Sequence, residues 1–203
     1  MPDSTVRSAY RAVNQRYIEL FGSPADLAPD DTAFVLRHLT EATGPVLDLG
    51  CGPGHFTEVL HRAGVRATGI DLVPEFVDHA RSRYPHLEFR VGSLRAIDRP
   101  NASVGGLLAW FSLIHFTPDE LSGVLAELGR VLVPGGRLVL GFFDSDEREE
   151  KFEHKVTAAY RWPVARLSER LGAVGLTVAE YARRPGDGDV RPYAVLAAGR
   201  EPE

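Results

Sequence analysis

Three alternate glycines form the part of this sequence that is most clearly built for chemistry. The stretch VLDLGCGPGHF (46–56) places Gly50, Gly52 and Gly54 directly after an apolar run and directly before a helical pattern. Glycine loses more backbone entropy on folding than any other residue, so this spacing indicates a sharp turn that a ligand approaches closely. Such a loop can hold a pyrophosphate on a helix N-terminus, but that fingerprint is GxGxxG, and this loop reads GxGxG. The plain alternative is a tight turn without a ligand.

Two aspartates accompany the loop at the ends of predicted strands. Asp48 precedes the first glycine by two residues, where a carboxylate suits a cationic ligand better than a pyrophosphate. Asp71 ends the next predicted strand, where a carboxylate can accept both hydroxyls of a ribose; the alternative is a surface turn residue. DLGCGPG and GIDL together predict a pocket for a nucleoside with a positively charged tail.

The elements around the loop follow from apolar periodicity. Short apolar runs, which predict strands, alternate with helical patterns. Near-continuous apolar strands alternating with helices indicate a doubly wound, mostly parallel α/β sheet covered on both faces, with ligands bound at the carboxyl ends of its strands. Predicted strands cover 46–49, 67–71, 87–91, 104–111 and 137–143, and an antiparallel C-terminal hairpin pairs 176–183 with 191–199 across a turn at 185–189.

Two helices precede this alternation. We expect residues 1–43 to form an N-terminal helical cap on a core of residues 44–203, the two making one domain. The first helix carries one apolar stripe, and Asp3 or Ser4 suits its N-terminal cap. The second helix is predicted near 31–42.

Composition limits the classes of function. The chain has 203 residues, 44% of them hydrophobic and 25% charged, as in one soluble globular domain. A net charge of -5 and the absence of long Lys or Arg runs disfavour a nucleic-acid partner. Cys51 is the only cysteine, which excludes an internal disulfide and a thiolate metal cluster. No apolar run has the length of a membrane span, and no signal peptide is evident, so we expect a cytoplasmic protein.

Longer motifs extend the pattern of the glycine loop. They are VLDLGCGPG, GIDL with the following PEFVDHAR helix, FRVGS, the strand end LLAWFSLIHF, and ELGRVLVPGGRLVL. Together they resemble the class I S-adenosylmethionine-dependent methyltransferases over residues 44–145, and the bacterial small-molecule enzymes in particular. The resemblance implies a Rossmann-like seven-stranded sheet whose last strand is antiparallel. It also implies S-adenosylmethionine (SAM) as cofactor and S-adenosylhomocysteine (SAH) as product.

A cofactor site is implied by matching positions to that family. The glycine loop would approach the methionine part, Asp48 would face its ammonium group, and Asp71 would hold the ribose hydroxyls. Ser93 is a departure, because the family often has an acidic residue there that binds the adenine amino group. The implied cofactor-binding set is Tyr17, Asp48, Gly50, Cys51, Gly52, Gly54, Phe56, Asp71, Leu72, Ser93, Leu94, Ala109 and Trp110.

The methyl acceptor would lie beside this set. His115 is our candidate general base, with helix capping or packing as the alternative. Tyr10 and Tyr17 fit a core stripe, or belong to a helix that covers the cofactor. Substrate contacts are expected from Tyr10, Phe111, Arg161 and Trp162, although a buried Trp beside an exposed Arg is the favoured explanation of the last two. The charged run at 144–155 reads as a solvated loop or as a helix.

The leading function is methyl transfer to a small, partly apolar molecule by direct displacement. No carboxylate occurs in AWFSLIHFTP before Asp119, so no metal is expected. A nicotinamide-dependent oxidoreductase and a catalytically silent module that binds SAM or SAH are the alternatives. The identity of the acceptor, the methylated atom and the oligomeric state are left open by the sequence.

Overall fold

The computed structural model describes residues 2–187 and 190–202, so part of the turn predicted at 185–189 lies outside the described residues. The described residues form β1 (Val46–Leu49), β2 (Ala67–Asp71), β3 (Glu88–Val91), β4 (Val104–Trp110), β5 (Leu132–Phe143), β6 (Glu150–Phe152), β7 (Ala159–Arg161), β8 (Leu176–Arg184) and β9 (Tyr193–Arg200).

Seven of these strands make one sheet in the order β3-β2-β1-β4-β5-β9-β8. The first five are parallel, whereas β9 runs antiparallel to both β5 and β8. The predicted α/β class and the antiparallel C-terminal hairpin are therefore confirmed. The strand order reverses between β1 and β4, which is the place where open parallel sheets bind ligands.

Helices cover both faces of the sheet. They are α1 (Asp3–Phe21), α2 (Pro29–Leu39), α3 (His55–Arg62), α4 (Pro74–Arg83), α5 (Pro118–Val131) and α6 (Val164–Gly172), with a short 3₁₀ turn at Pro24–Asp26. Every residue of β1 and β2 is buried, as expected for strands packed on both faces. The division into a cap of residues 1–43 and a core of residues 44–203 stays a prediction.

Three local predictions were wrong. Asp3 and Ser4 do not cap α1, because the helix begins at Asp3 itself and no side chain caps it. β5 begins at Leu132, five residues before the predicted start, because Leu132 pairs with Val104 before a register shift. The run 144–155 is neither a plain loop nor a helix, because it contains β6, which pairs with β7 in a small separate hairpin.

Candidate active site

A cavity of about 100 Å³ opens at the carboxyl ends of β1, β2 and β4. Helix α1 covers it, and the ends of the strands form its floor. The lining residues are Asp3, Val6, Tyr10, Tyr17, Gly50, Gly52, Asp71, Leu72, Val73, Phe76, Ser93, Leu94, Trp110, Phe111, Ser112, His115 and Phe116.

Asp71 is the buried charge on this floor. Its carboxylate accepts the backbone N–H of Gly52 and of Val73, each at 2.8 Å. Burial raises its pKa to about 6, although these hydrogen bonds oppose the shift. The side chain is thus fixed in direction and costly to ionise, a state that hydroxyl donors or a cation in the cavity would relieve.

The glycine loop brings backbone to the cavity because no side chain fits there. A Cβ added at Gly50 would lie 2.3 Å from Cβ of Ser112. Gly54 has φ of +89°, and a Cβ there would lie 2.8 Å from the Phe89 ring. Gly50 therefore allows Ser112 to pack directly on the loop, whereas Gly54 allows α3 to pack on the sheet.

Asp48 lies beneath the loop and is 1% exposed. It is absent from the cavity wall, and its Oδ2 accepts a hydrogen bond from the Thr57 hydroxyl at 2.6 Å. Burial, together with the charge of Asp71, raises the pKa of Asp48 to about 7. An effect of Asp48 on a ligand would therefore act through the loop and not by direct contact.

Aromatic rings of α1 form the roof. The Tyr17 ring lies 5.6 Å from that of Tyr10 and 5.2 Å from that of Phe76 on α4. No residue of α1 counts as buried, so both tyrosines pack on the cavity and not in the main core. The predicted apolar stripe is therefore the face of α1 that lies over the cavity, a placement that favours the covering role.

His115 links this roof to the small hairpin. Its Nδ1 lies 2.9 Å from the carbonyl oxygen of Ala158, and its Nε2 lies 2.9 Å from the Tyr10 hydroxyl. Because a carbonyl only accepts, Nδ1 carries the proton and Nε2 accepts from Tyr10. Burial lowers the pKa of His115. The neutral ring thus presents its lone pair to the cavity.

Several predicted site residues lie away from the cavity. Trp162 is buried beside α6 under the guanidinium of Arg170, and Arg161 lies 3.3 Å from Glu150 on the neighbouring strand of the small hairpin. The substrate contacts predicted for Arg161 and Trp162 are therefore corrected. Of the predicted cofactor set, the residues absent from the wall are Asp48, Cys51, Gly54, Phe56 and Ala109.

Other lining residues were not predicted. Ser112 lies two positions after Trp110, and its buried Oγ has no hydrogen-bond partner among the described residues. Asp3 was assigned to a cap, and Phe76 to a helix stripe. Only the tertiary fold brings α1 and α4 together here, so no local pattern could identify them. The full missed set is Asp3, Val6, Val73, Phe76, Ser112 and Phe116.

Comparison with known proteins supports the resemblance that the motifs indicate. The model of the family described as "Methyltransferase domain" matches residues 46–136, which span the glycine loop, Asp71 and the end of β4. In this segment, just under half of the chain, the protein is similar to the methyltransferase domains of that family.

The curated proteins that this chain resembles are named for different reactions. The chain is 31% identical over 105 residues to malonyl-[acyl-carrier protein] O-methyltransferase of Serratia marcescens, covering 52% of this chain and 40% of that one. It is 30% identical over 118 residues to ubiquinone biosynthesis O-methyltransferase of Xanthomonas axonopodis, covering 56% and 49%. The chain thus spans about half the length, or less, of these curated relatives.

One solved structure is similar to nearly the whole of this chain. The Burkholderia thailandensis 1,6-didemethyltoxoflavin-N1-methyltransferase, with bound 1,6-didemethyltoxoflavin and SAH, superposes with a TM-score of 0.80 at 25% identity. The match covers 98% of this chain and 88% of that one.

The cavity suits SAM, the cofactor of this family. At Gly52 an added Cβ would meet only the Tyr17 ring, at 3.8 Å, so the backbone there is open to a ligand. The Ser112 hydroxyl suits a polar tail, and the Asp71 carboxylate suits ribose hydroxyls. No group of three potential metal ligands occurs within residues 2–187 and 190–202. None of the helices described is both long enough and apolar enough to span a membrane.

Proposed function

We propose that this protein moves the methyl group of SAM to a small, partly apolar molecule. The observation that carries the proposal is the Asp71 carboxylate, which is buried at the end of β2, fixed by two backbone N–H groups and exposed to the cavity. SAM, when bound, supplies a methyl group on a positively charged sulfur, so the protein contributes orientation and electrostatics.

The proposed cofactor contacts divide by chemistry. Asp71 accepts the ribose hydroxyls, the backbone at Gly50 and Gly52 lies along the methionine part, and Ser112 Oγ supplies a polar contact there. Tyr10 and Tyr17 exclude water from above. Holding the reacting atoms in line can lower the barrier by about 7–11 kcal/mol.

An aromatic wall supports a flat or partly apolar acceptor. Phe111 has φ of +53°, a strained conformation for a side-chain-bearing residue. The Phe111 ring lies 5.5 Å from Trp110, 5.1 Å from Phe143 and 5.6 Å from Tyr193. Because the similar proteins are named for O- and N-methylation, we leave the methylated atom to an acceptor screen.

His115 is the proposed base for acceptors that start protonated. Its Nε2 accepts from the Tyr10 hydroxyl in the structure, so an acceptor O–H or N–H can take the place of that donor. Transfer of the methyl group would break its bond to the sulfur and leave SAH, while the proton of the acceptor would pass to Nε2 and convert His115 to imidazolium. Ala158 fixes the tautomer that this step requires.

The first experiment is calorimetric titration with SAM and SAH on the wild type and on Asp71→Ala. We expect the variant to lose at least about ten-fold in affinity, because hydrogen bonds to a charged group contribute about 1.5–3 kcal/mol. Asp78→Ala is the matched control, because Asp78 is an exposed carboxylate on α4.

The outcomes separate the candidate functions. Binding that Asp71→Ala weakens and Asp78→Ala preserves supports the proposal and justifies the acceptor screen. If neither SAM nor SAH binds, but NADH fluorescence changes on mixing, the nicotinamide alternative replaces it. Tight SAM binding without methylation of a broad acceptor panel would favour the silent binding module.

A further inference from the structure

A carboxylate from α1 stands at one end of the cavity, and neither the sequence motifs nor the proposed contacts use it. Asp3 lines the cavity together with Ser93 and Leu94, which follow β3. The Ser93 hydroxyl donates to Asp3 Oδ2 at 2.5 Å, and Arg95 Nε donates to Asp3 Oδ1 at 2.7 Å. Asp3 is thus held over the end of β3 by contacts distant in sequence.

The order of the strands indicates that the base of a bound nucleoside would lie at the Asp3 end of the cavity. In the sheet, β2 with Asp71 lies between β1, which leads to the glycine loop, and β3. If Asp71 holds the ribose, the methionine tail extends toward Gly50 and Ser112, and the base extends toward β3. The walls on that side are apolar, as the faces of a purine require; they are Leu72, Val73, Phe76 and Leu94.

The polar groups at this end of the cavity favour a ligand that donates a hydrogen bond. The Ser93 hydroxyl gives its hydrogen to Asp3 and accepts the backbone N–H of Arg95 at 3.1 Å. An ionised carboxylate has about four acceptor positions and no donor. Asp3 uses one contact from Ser93 and one from Arg95, so it retains acceptor capacity at the cavity wall.

We propose that Asp3 accepts a hydrogen bond from the 6-amino group of adenine and thereby selects adenine over purines that lack this group. The proposal rests on the proposed function, since it requires SAM or SAH in the cavity. It gives α1 a recognition role in addition to covering the site. The hydrogen bond comes from α1 and not from the segment after β3, where Ser93 lies.

A simpler role for Asp3 is to dock α1 through Ser93 and Arg95. Loss of docking would weaken every nucleoside ligand alike, whereas loss of an amino contact weakens only ligands that carry the amino group. The ratio of two dissociation constants therefore separates these roles, and it requires no methyl acceptor.

The experiment compares SAH with its 6-deamino analogue, in which hydrogen replaces the amino group on the purine. Both are titrated against wild type, Asp3→Ala and Glu19→Ala. Glu19 is the matched control, because it is an exposed carboxylate near the other end of α1. We expect wild type and Glu19→Ala to prefer SAH by about 10- to 100-fold, and Asp3→Ala to bind both ligands within about three-fold of each other.

Two results would overturn the proposal. One is a wild type that binds SAH and its analogue equally; the other is an Asp3→Ala variant in which both affinities fall but their ratio stays at the wild-type value. If Asp3→Ala does not fold, Asp3→Leu makes the same comparison at similar side-chain size, because leucine has no acceptor. Failure of the wild type to bind SAH at all would instead refute the proposed function.

Discussion

At the scale of single residues, the site contains two carboxylates that are largely shielded from water. Asp48 is sealed beneath the glycine loop, and Asp71 faces the cavity above it. Burial raises the pKa of both groups, to about 7 and about 6. The pair is therefore expensive to ionise without a cation nearby, and a positively charged ligand would offset part of that cost.

Asp48 gives a pH dependence whose sign follows from this shift. Its pKa is about 7 in the folded chain, against 3.8 for an ordinary Asp. Between about pH 4 and pH 7 the folded state holds a proton that the unfolded state releases, so the free energy of unfolding falls as pH rises. Asp48→Asn removes this proton, and its amide oxygen still accepts from Thr57. We expect the variant to gain stability relative to wild type as pH rises from 4 to 8.

Urea unfolding of both proteins at several pH values measures that gain. The difference in the free energy of unfolding between Asp48→Asn and wild type should grow by at most on the order of 1 kcal/mol per pH unit between pH 4 and pH 7. Asp78→Asn serves as the control for replacing an exposed carboxylate by its amide. A stability difference between wild type and Asp48→Asn that does not change with pH would contradict the raised pKa of Asp48.

The residue types predicted the chemistry of the site better than they predicted which residues are in contact. The glycine spacing and Asp71 gave the nucleoside pocket, because those features are local to a strand end and the following turn. The role of Asp3 was misassigned, since a first-turn acid resembles a cap in sequence. Its actual partners, Ser93 and Arg95, are 90 and 92 residues away.

At the scale of elements, α1 and the small hairpin meet through one imidazole. His115 bonds to Tyr10 of α1 and to Ala158 in the connection between β6 and β7. The Phe143 ring lies 5.2 Å from that of Phe152 on β6. The segment that reads as a solvated charge run therefore carries an aromatic residue into this contact, which a charge count could not reveal.

The same link tests the proposed base. With an acceptor found by screening, His115→Ala should lower kcat by about 10²- to 10⁴-fold. The wild-type kcat should decline with falling pH only below the ordinary His value of 6.5, because burial lowers the pKa of His115. SAH affinity should change far less than kcat, since His115 is assigned to the acceptor side.

Tyr10→Phe is the control for docking of α1. It removes the hydroxyl bonded to His115 but keeps the imidazole, so kcat should stay within about ten-fold of wild type. Equal losses in both variants would mean that His115 acts by holding α1 in place, and an unchanged kcat in His115→Ala would remove it as a base.

At the scale of the whole molecule, the alternation of strands and helices was sufficient to predict the sheet. Apolar runs at 46–49 and 104–111 mark central strands because both of their faces are buried. The long β5 was mispredicted at its start, since Pro134 and Gly135 suggest a turn although the described strand continues through them. Pairing with β4 determines where β5 starts, although the local residues favour a turn.

A buried polar link joins α2 to the C-terminal hairpin, and none of its three residues lines the cavity. Asp31 of α2 is 3% exposed. It accepts hydrogen bonds from Arg184 Nε at 3.0 Å and from the Tyr193 hydroxyl at 2.7 Å. The link ties α2 to β8 and β9 across more than 150 positions of sequence. Loss of this link should therefore lower the free energy of unfolding and leave the affinity for the ligand unchanged.

We expect Asp31→Ala to lower the free energy of unfolding by about 1–3 kcal/mol, because it leaves a half-buried phenol and guanidinium without their shared acceptor. Asp30→Ala is the matched control: Asp30 is the exposed neighbour in the same first turn, so both variants lose a similar interaction with the helix dipole. Urea unfolding measures the difference, and SAH titration should give wild-type affinity in both, since neither residue lines the cavity. Equal stability of the two variants would show that the link between α2 and the C-terminal hairpin contributes nothing beyond the charge at the helix end.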